Sequence, residues 1–130
     1  MTSGKFLLDT NIVIALFAED PAVKQRISET AEVFVSIIVL GELYYGALKS
    51  SRVESNLETI ARFASAVPIL ACDSNTADEY GRIKNFLREK GRPIPENDIW
   101  IAATAQQHDL TVASRDHHFD SIDGLSNEHW

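Results

Sequence analysis

The sequence predicts an α/β fold, with a parallel sheet of four to five strands covered by helices on both faces. Two features of the pattern carry that reading. Strand and helix signals alternate along the chain, as βαβ crossovers require. The strand candidates are short apolar runs without polar alternation, the pattern of strands buried on both faces.

The first such run is Lys5–Leu8, which ends at Asp9, Thr10 and Asn11 and is followed by a helix over Ile12–Ala18. Asp20 and Pro21 start a second helix to about Glu29, with proline in the first turn, where a missing N–H is harmless. Val33–Val35 is β-branched and aromatic, hence a strand. Ser36 can cap a helix from Ile37 to about Lys49, and a further helix runs from about Arg52 to Ala64. Val67–Ala71 reads as a third strand, after which Asp73 or Ser74 caps a long helix reaching Lys90. Residues 91–95 form a loop by their Gly and Pro content, and Glu96 or Asn97 opens a helix to about His108. Leu110–Ala113 is the fourth strand, and Leu125–Glu128 carries a weak signal for a fifth.

The chain of 130 residues fits one domain, 1–130. Its 45% apolar and 24% charged residues are the balance of a globular protein. The longest apolar stretch, Phe34–Leu40, is interrupted by Ser36 and is too short to span a bilayer. Asp9 falls where a signal peptide would still be apolar, and a single cysteine, Cys72, offers no internal disulfide. A cytoplasmic protein without a membrane partner is expected. Net charge is −7, which lowers the expectation of a nucleic-acid surface. That average misleads if acids are gathered around metal, since two divalent cations would bring it to about −3.

Ligands in open parallel sheets bind beyond the carboxyl ends of the strands, which singles out Asp9 after the first strand and Asp116 after the fourth. Asp9 is equally an N-cap for the helix that follows. Glu42 lies in the Ile37–Lys49 helix on the flank of an apolar face formed by Leu40, Leu43, Tyr44, Ala47 and Leu48. None of its helical neighbours Ile38, Val39, Tyr45 and Gly46 is basic, so no local ion pair accounts for it, although a solvated glutamate would also fit. Asp98 opens a segment that is apolar nearly all round, and the helix dipole favours a carboxylate there; a capping-turn acid is the alternative. Asp116 has Asp120 and Asp123 close by, which leaves open which acid takes the fourth position.

Acids crowded at one end of a sheet raise one another's pKa unless cations neutralise them. Hard oxygen ligands select Mg²⁺ or Mn²⁺ over zinc, and such ions activate water against a phosphodiester.

Four segments together resemble the PIN-domain family, and within it the VapC-type toxins of prokaryotic toxin–antitoxin pairs. They are Phe6–Asn11 (FLLDTN), Ser36–Leu43 (SIIVLGEL), Asn97–Ala105 (NDIWIAATA) and Leu110–Phe119 (LTVASRDHHF). The resemblance implies an α/β/α sandwich and a Mg²⁺- or Mn²⁺-dependent endoribonuclease. Asp9, Glu42, Asp98 and Asp116 would be the acidic cluster, with Asn11 and Ser114 as supporting polar groups. A homodimer and a cognate antitoxin are further implications, with Ile12, Phe17 and Leu57 as candidate contact positions. His117 and His118 follow Asp116 directly, but Mg²⁺ sites seldom recruit imidazole, so the site is read without them.

Arg82, Lys84, Arg88, Lys90 and Arg92 fall within eleven residues with only Glu89 opposing them. They read either as a solvated helix face or as a rim that tracks RNA phosphates towards Asp98, which Lys49 and Arg52 would extend. Two rival functions share some of these features. A haloacid-dehalogenase-type phosphatase would fit Leu8–Thr10 but needs a second aspartate where Asn11 stands. A receiver-like or degenerate PIN scaffold that only binds protein would not need the full acid set.

Overall fold

The computed structural model describes residues 4–30 and 32–130; Met1–Ser3 of the N-terminal stretch read against a signal peptide lie outside them. Strand β1 (Lys5–Leu8) leads into helices α1 (Thr10–Phe17) and α2 (Pro21–Ser28). Strand β2 (Glu32–Ser36) precedes α3 (Ile37–Leu48) and α4 (Val53–Ala66), and β3 (Ile69–Leu70) precedes α5 (Ser74–Lys90) and α6 (Glu96–His108). Strand β4 (Thr111–Ser114), a 3₁₀ turn (His117–Ser121) and β5 (Asn127–His129) complete the chain. Among the described residues, six helices thus flank one sheet of five parallel strands.

Strand order is β3-β2-β1-β4-β5, with β1 in the centre. The chain builds outwards from β1 through β2 to β3 and then returns to lay β4 against the other side of β1. The order therefore reverses between β1 and β4, paired in register Leu7↔Val112 and Leu8↔Ala113. That reversal opens a crevice beyond the carboxyl ends of these two strands, the place where open α/β sheets bind ligands.

The two central strands are buried: Leu7, Leu8, Val112 and Ala113 are inaccessible to solvent, as is Val35 of β2. Ile99 and the run Ile101–Ala105 pack as the buried part of α6, in keeping with its apolar sequence. Helix α5 ends on Gly91, whose φ of 64° places it in the left-handed region that favours glycine at this position.

Several boundaries and faces differ from the sequence reading. Helix α1 begins at Thr10 rather than Ile12 because Asp9 serves as its N-cap. Strand β3 keeps only two of the five residues expected, since it is an edge strand paired through Val35↔Ile69 and Ser36↔Leu70 alone. The turn at His117–Ser121 has no periodic signal in the sequence; it is capped by Asp116 and anchored by Phe119, which is fully buried. On α3 the buried line is Val39, Leu43 and Ala47, spaced by four, whereas Leu48 is 61% exposed. Ile12, expected as a contact position on the surface, is fully buried, because it lies with Val13 on the face of α1 that packs into the core. Phe17 and Leu57 are half-buried against that core, with Phe17 edge-on to Phe63. The large apolar side chains exposed on α1 and α3 are instead Ile14, Ile37, Tyr45 and Leu48.

Candidate active site

Asp9 is the first residue after the central strand and is almost completely buried. Its Oδ1 accepts the Thr10 amide at 2.8 Å, and its Oδ2 accepts the Ser114 hydroxyl at 2.7 Å. The two readings of Asp9 are therefore both true: it caps α1 and faces the crevice. Asn11 follows two residues on, its Nδ2 donating to Ser114 Oγ at 3.3 Å and, more weakly, to Asp9 Oδ2 at 3.4 Å. Its Oδ1 accepts the Arg115 amide at 3.1 Å. Ser114 also accepts the Asp116 amide at 2.9 Å, so one hydroxyl joins the ends of β1 and β4 and sets the start of the next loop.

That loop is held from outside as well. Arg115 donates from Nε to the Trp130 carbonyl at 2.8 Å and from Nη2 to Asp20, the cap of α2, at 2.9 Å. Asp116 then caps the 3₁₀ turn, its Oδ1 accepting the His118 amide at 2.9 Å.

Asp98 sits in the first turn of α6, whose N-cap is Pro95, so it is not the capping residue. Its backbone amide is already used by the Pro95 carbonyl, and its mostly buried carboxylate is free to face the crevice. The helix dipole offsets part of its charge. Glu42, half-buried on α3, accepts the Thr10 hydroxyl at 2.9 Å, which ties it to the residue next to Asp9.

Electrostatics show how closely these acids are gathered. Burial pushes Asp9 up to about 6, against the hydrogen bonds from Ser114 and Thr10, and the charges of Asp98 and Glu42 push the same way. Asp98 is also raised, first by burial, with the hydrogen bond from His118 opposing and the Asp116 and Glu42 charges adding. Among the described residues no lysine or arginine forms an ion pair with any of the four acids. His118 does: its Nδ1 lies 2.8 Å from Asp98 Oδ2 and 2.9 Å from Asp116 Oδ1. One imidazole nitrogen thus lies between the two carboxylates.

His118, left out of the site on sequence grounds, thus lies between two of its acids. Asp98, Asp116 and His118 bring three potential metal-ligand atoms within 4.8 Å of one another. Asp120 does not join them; it pairs with His117 and His129 instead, so of Asp116 and Asp120 only Asp116 meets Asp98.

The donor set suits a hard divalent cation. Asp98 and Asp116 meet at ligand distance, Asp9 and Glu42 lie near enough for their charges to act on one another and on Asp98, and none has a lysine or arginine partner, an arrangement whose negative charge calls for a cation. Asp9, Glu42, Asp98 and Asp116 would hold it.

A family model for the PIN domain matches residues 6–125. The chain is a PIN-domain protein. Proteins named VapC are among its relatives. Ribonuclease VapC2 of Haemophilus influenzae is 39% identical over 97% of this chain and 98% of its own, and the tRNA(fMet)-specific endonuclease VapC of Shigella flexneri is 36% identical over the same shares. Among solved structures, DNA-bound VapBC from Salmonella typhimurium superposes with a TM-score of 0.89 at 33% identity, covering 100% of this chain and 99% of that one. VapBC2 from Rickettsia felis, bound to a promoter DNA fragment, gives 0.89 at 28% identity, covering 97% and 98%.

The basic stretch on α5 of this PIN domain is more opposed than its sequence suggests. Arg82 pairs with Asp78 at 3.0 Å and Lys84 with Glu96 at 3.1 Å, while Arg88 donates to Asn85 at 2.7 Å. Asp78 and Glu96, not Glu89 alone, therefore offset it. Lys84, Arg88, Ile94, Glu96 and Ile99 line a groove of about 660 Å³ that reaches the first turn of α6, close in sequence to Asp98. Of the groups missing from the sequence reading, Thr10 had a visible signal, since it lies between Asp9 and Asn11. Arg115 lies between two residues already chosen.

The raised Asp9 value makes a prediction for the protein without divalent cations. The folded value, about 6, lies above the ordinary 3.8, so folding favours the protonated acid. The stability that protonation contributes is complete below about pH 4 and is lost as pH rises through about 6. Asp9→Asn removes this penalty and should stabilise the fold by on the order of 1–3 kcal/mol at about pH 7.5, with little gain at about pH 4. Urea denaturation in EDTA at both pH values measures it; an equal offset at both would show that Asp9 is not under electrostatic strain.

Proposed function

We propose that this chain is a metal-dependent endoribonuclease and the toxin of a VapBC-type toxin–antitoxin pair. The observation that carries the reading is the crevice between β1 and β4, where Asp9, Glu42, Asp98 and Asp116 meet without a basic partner other than His118. The near full-length likeness to proteins named as VapC ribonucleases supports the activity. The presence of VapBC complexes among the structural neighbours supports an antitoxin partner.

A divalent ion, Mg²⁺ or Mn²⁺, would supply positive charge to the phosphate and a water acidic enough to attack it in line. The chain's own groups do the rest. Ser114 and Asn11 fix Asp9 through hydrogen bonds, so its lone pairs keep one direction when RNA arrives. Thr10 fixes Glu42 in the same way. His118 holds Asp98 and Asp116 together through Nδ1. Asn11 occupies the position where a haloacid-dehalogenase-type phosphatase needs its second acid, and here it donates its amide to Ser114 and Asp9, a role that favours the nuclease.

Structured RNA is the proposed substrate class. The tRNA named for the Shigella flexneri relative makes initiator tRNA the first to try. A homodimer and an antitoxin surface are proposed for the exposed apolar side chains of α1 and α3. Ile14 borders a groove of about 430 Å³ with Phe17, Glu42, Leu43 and Ile60, so a partner seated there would reach one of the acids. No helix among the described residues is long and apolar enough to cross a membrane. A cytoplasmic protein is proposed, since a cellular RNA substrate would be met there.

The purified protein should cleave RNA only with added Mg²⁺ or Mn²⁺. Asp98→Asn should lower cleavage by orders of magnitude while the fold holds or gains stability, because like charges no longer repel. Cleavage undiminished by excess EDTA, or a folded and fully active Asp98→Asn protein, would remove the basis of the reading.

The rim on α5 and the loop after it is tested separately. A variant with Arg82, Lys84, Arg88 and Arg92 all changed to Ala, made in the Asp98→Asn background, should bind RNA more weakly with a flatter salt dependence. The slope should fall by about one unit or less for each phosphate no longer neutralised. Unchanged affinity and slope would make these residues a solvated face and place the RNA grip elsewhere.

A further inference from the structure

A second cluster of ligand-type side chains lies outside the acidic crevice, on the other side of the 3₁₀ turn. His117 opens the turn, Asp120 lies three residues on, and His129 reaches them from β5. His117 Nδ1 is 3.2 Å from Asp120 Oδ2, and His129 Nε2 is 3.3 Å from Asp120 Oδ1. The imidazole rings are 4.3 Å apart, centre to centre, and one ligand atom from each residue falls within 4.8 Å of the others. Ligands about 2.1 Å from a tetrahedral zinc lie about 3.4 Å from one another, close to the two nitrogen–oxygen separations here.

We propose that His117, Asp120 and His129 form a second metal site, one that takes Zn²⁺ or a similar transition ion rather than Mg²⁺. Two imidazoles and one carboxylate are a borderline-soft donor set, which imidazole-binding ions favour and Mg²⁺ does not. Three protein ligands leave a position for water, so the site is an exposed, open one. It is separate from the crevice, because none of its residues bonds to Asp9, Glu42, Asp98 or Asp116 through its side chain.

The position of this cluster gives the ion a role. His129 is paired with Ser114 in the β4–β5 ladder, and Ser114 is the residue that holds Asp9. His117 lies in sequence between Asp116 and His118, which pair with each other and, through His118, with Asp98. An ion on this cluster pins β5 to the 3₁₀ turn and so steadies the loop that carries two groups of the active site, acting by position and not on the substrate.

The experiment is a calorimetric titration of Zn²⁺ into the full chain with Mg²⁺ present in excess to occupy the acidic crevice. The wild-type protein should bind one equivalent. His117→Ala and His129→Ala should each weaken it by about tenfold or more, whereas Asp98→Asn should leave it unchanged. Far-UV circular dichroism checks the fold of each variant, and His129→Gln replaces His129→Ala if the end of β5 detaches. As an independent reading, Co²⁺ should shift the ring proton resonances of His117 and His129 in the unaltered protein. Three results would overturn the proposal: no Zn²⁺ binding at micromolar concentration, affinity unchanged in both histidine variants, or loss of binding in Asp98→Asn. The last would put the ion on Asp98, Asp116 and His118 instead.

Discussion

A carboxylate at the end of the central strand, buried beside three others, is the constraint around which the rest of the molecule is arranged. Burying a charge costs several kcal/mol unless it is compensated. Asp9 receives hydrogen bonds from Thr10 and Ser114 but meets no lysine or arginine, and it remains raised to about 6. Hydrogen bonds orient such a group without neutralising it. The folded chain without metal thus carries a local excess of negative charge, for which a divalent cation is the natural complement.

Topology places that excess where it can act. Because the strand order reverses between β1 and β4, the residues following those strands face a common crevice instead of being shut in by a crossover. Ser114 spans it with a single hydroxyl, which donates to Asp9 and accepts from Asn11 and the Asp116 amide. Helix α6 brings Asp98 in from one side by its N-terminal turn, and α3 brings Glu42 from another through Thr10. Arg115 fastens the loop after β4 to the cap of α2 and to the last residue of the chain. The scaffold is rigid at the points where the acids attach, as a site that works by positioning charge requires.

Much of this is legible in the sequence, and the limits have physical causes. The α/β alternation is carried by strongly patterned segments and the acids Asp9 and Asp98 sit at their junctions, whereas Asn11 and Ser114 come from the family resemblance. Edges are harder to read: β3 shrinks to Ile69–Leu70 because its pairing with β2 ends there, which no local preference reveals. Which face of the short helix α1 turns inward is decided by packing, and it takes Ile12 into the core. The choice between Asp116 and Asp120 depends on a turn of five residues, too short to show a period, whose geometry sends one acid to Asp98 and the other to His129. His118 cannot be distinguished from an exposed loop histidine until Asp98, twenty residues earlier, is placed against it. Pairings of that sort arise from tertiary packing and leave no trace in spacing.

The central claim is that the four acids together form a cation site, and its most direct test is anomalous scattering from crystals grown with Mn²⁺. The account predicts a manganese peak in the crevice within bonding distance of carboxylate oxygens drawn from Asp9, Glu42, Asp98 and Asp116, and its loss in crystals of Asp98→Asn. A well-ordered crevice with no manganese at saturating concentration, or manganese found only at His117, Asp120 and His129, would contradict it.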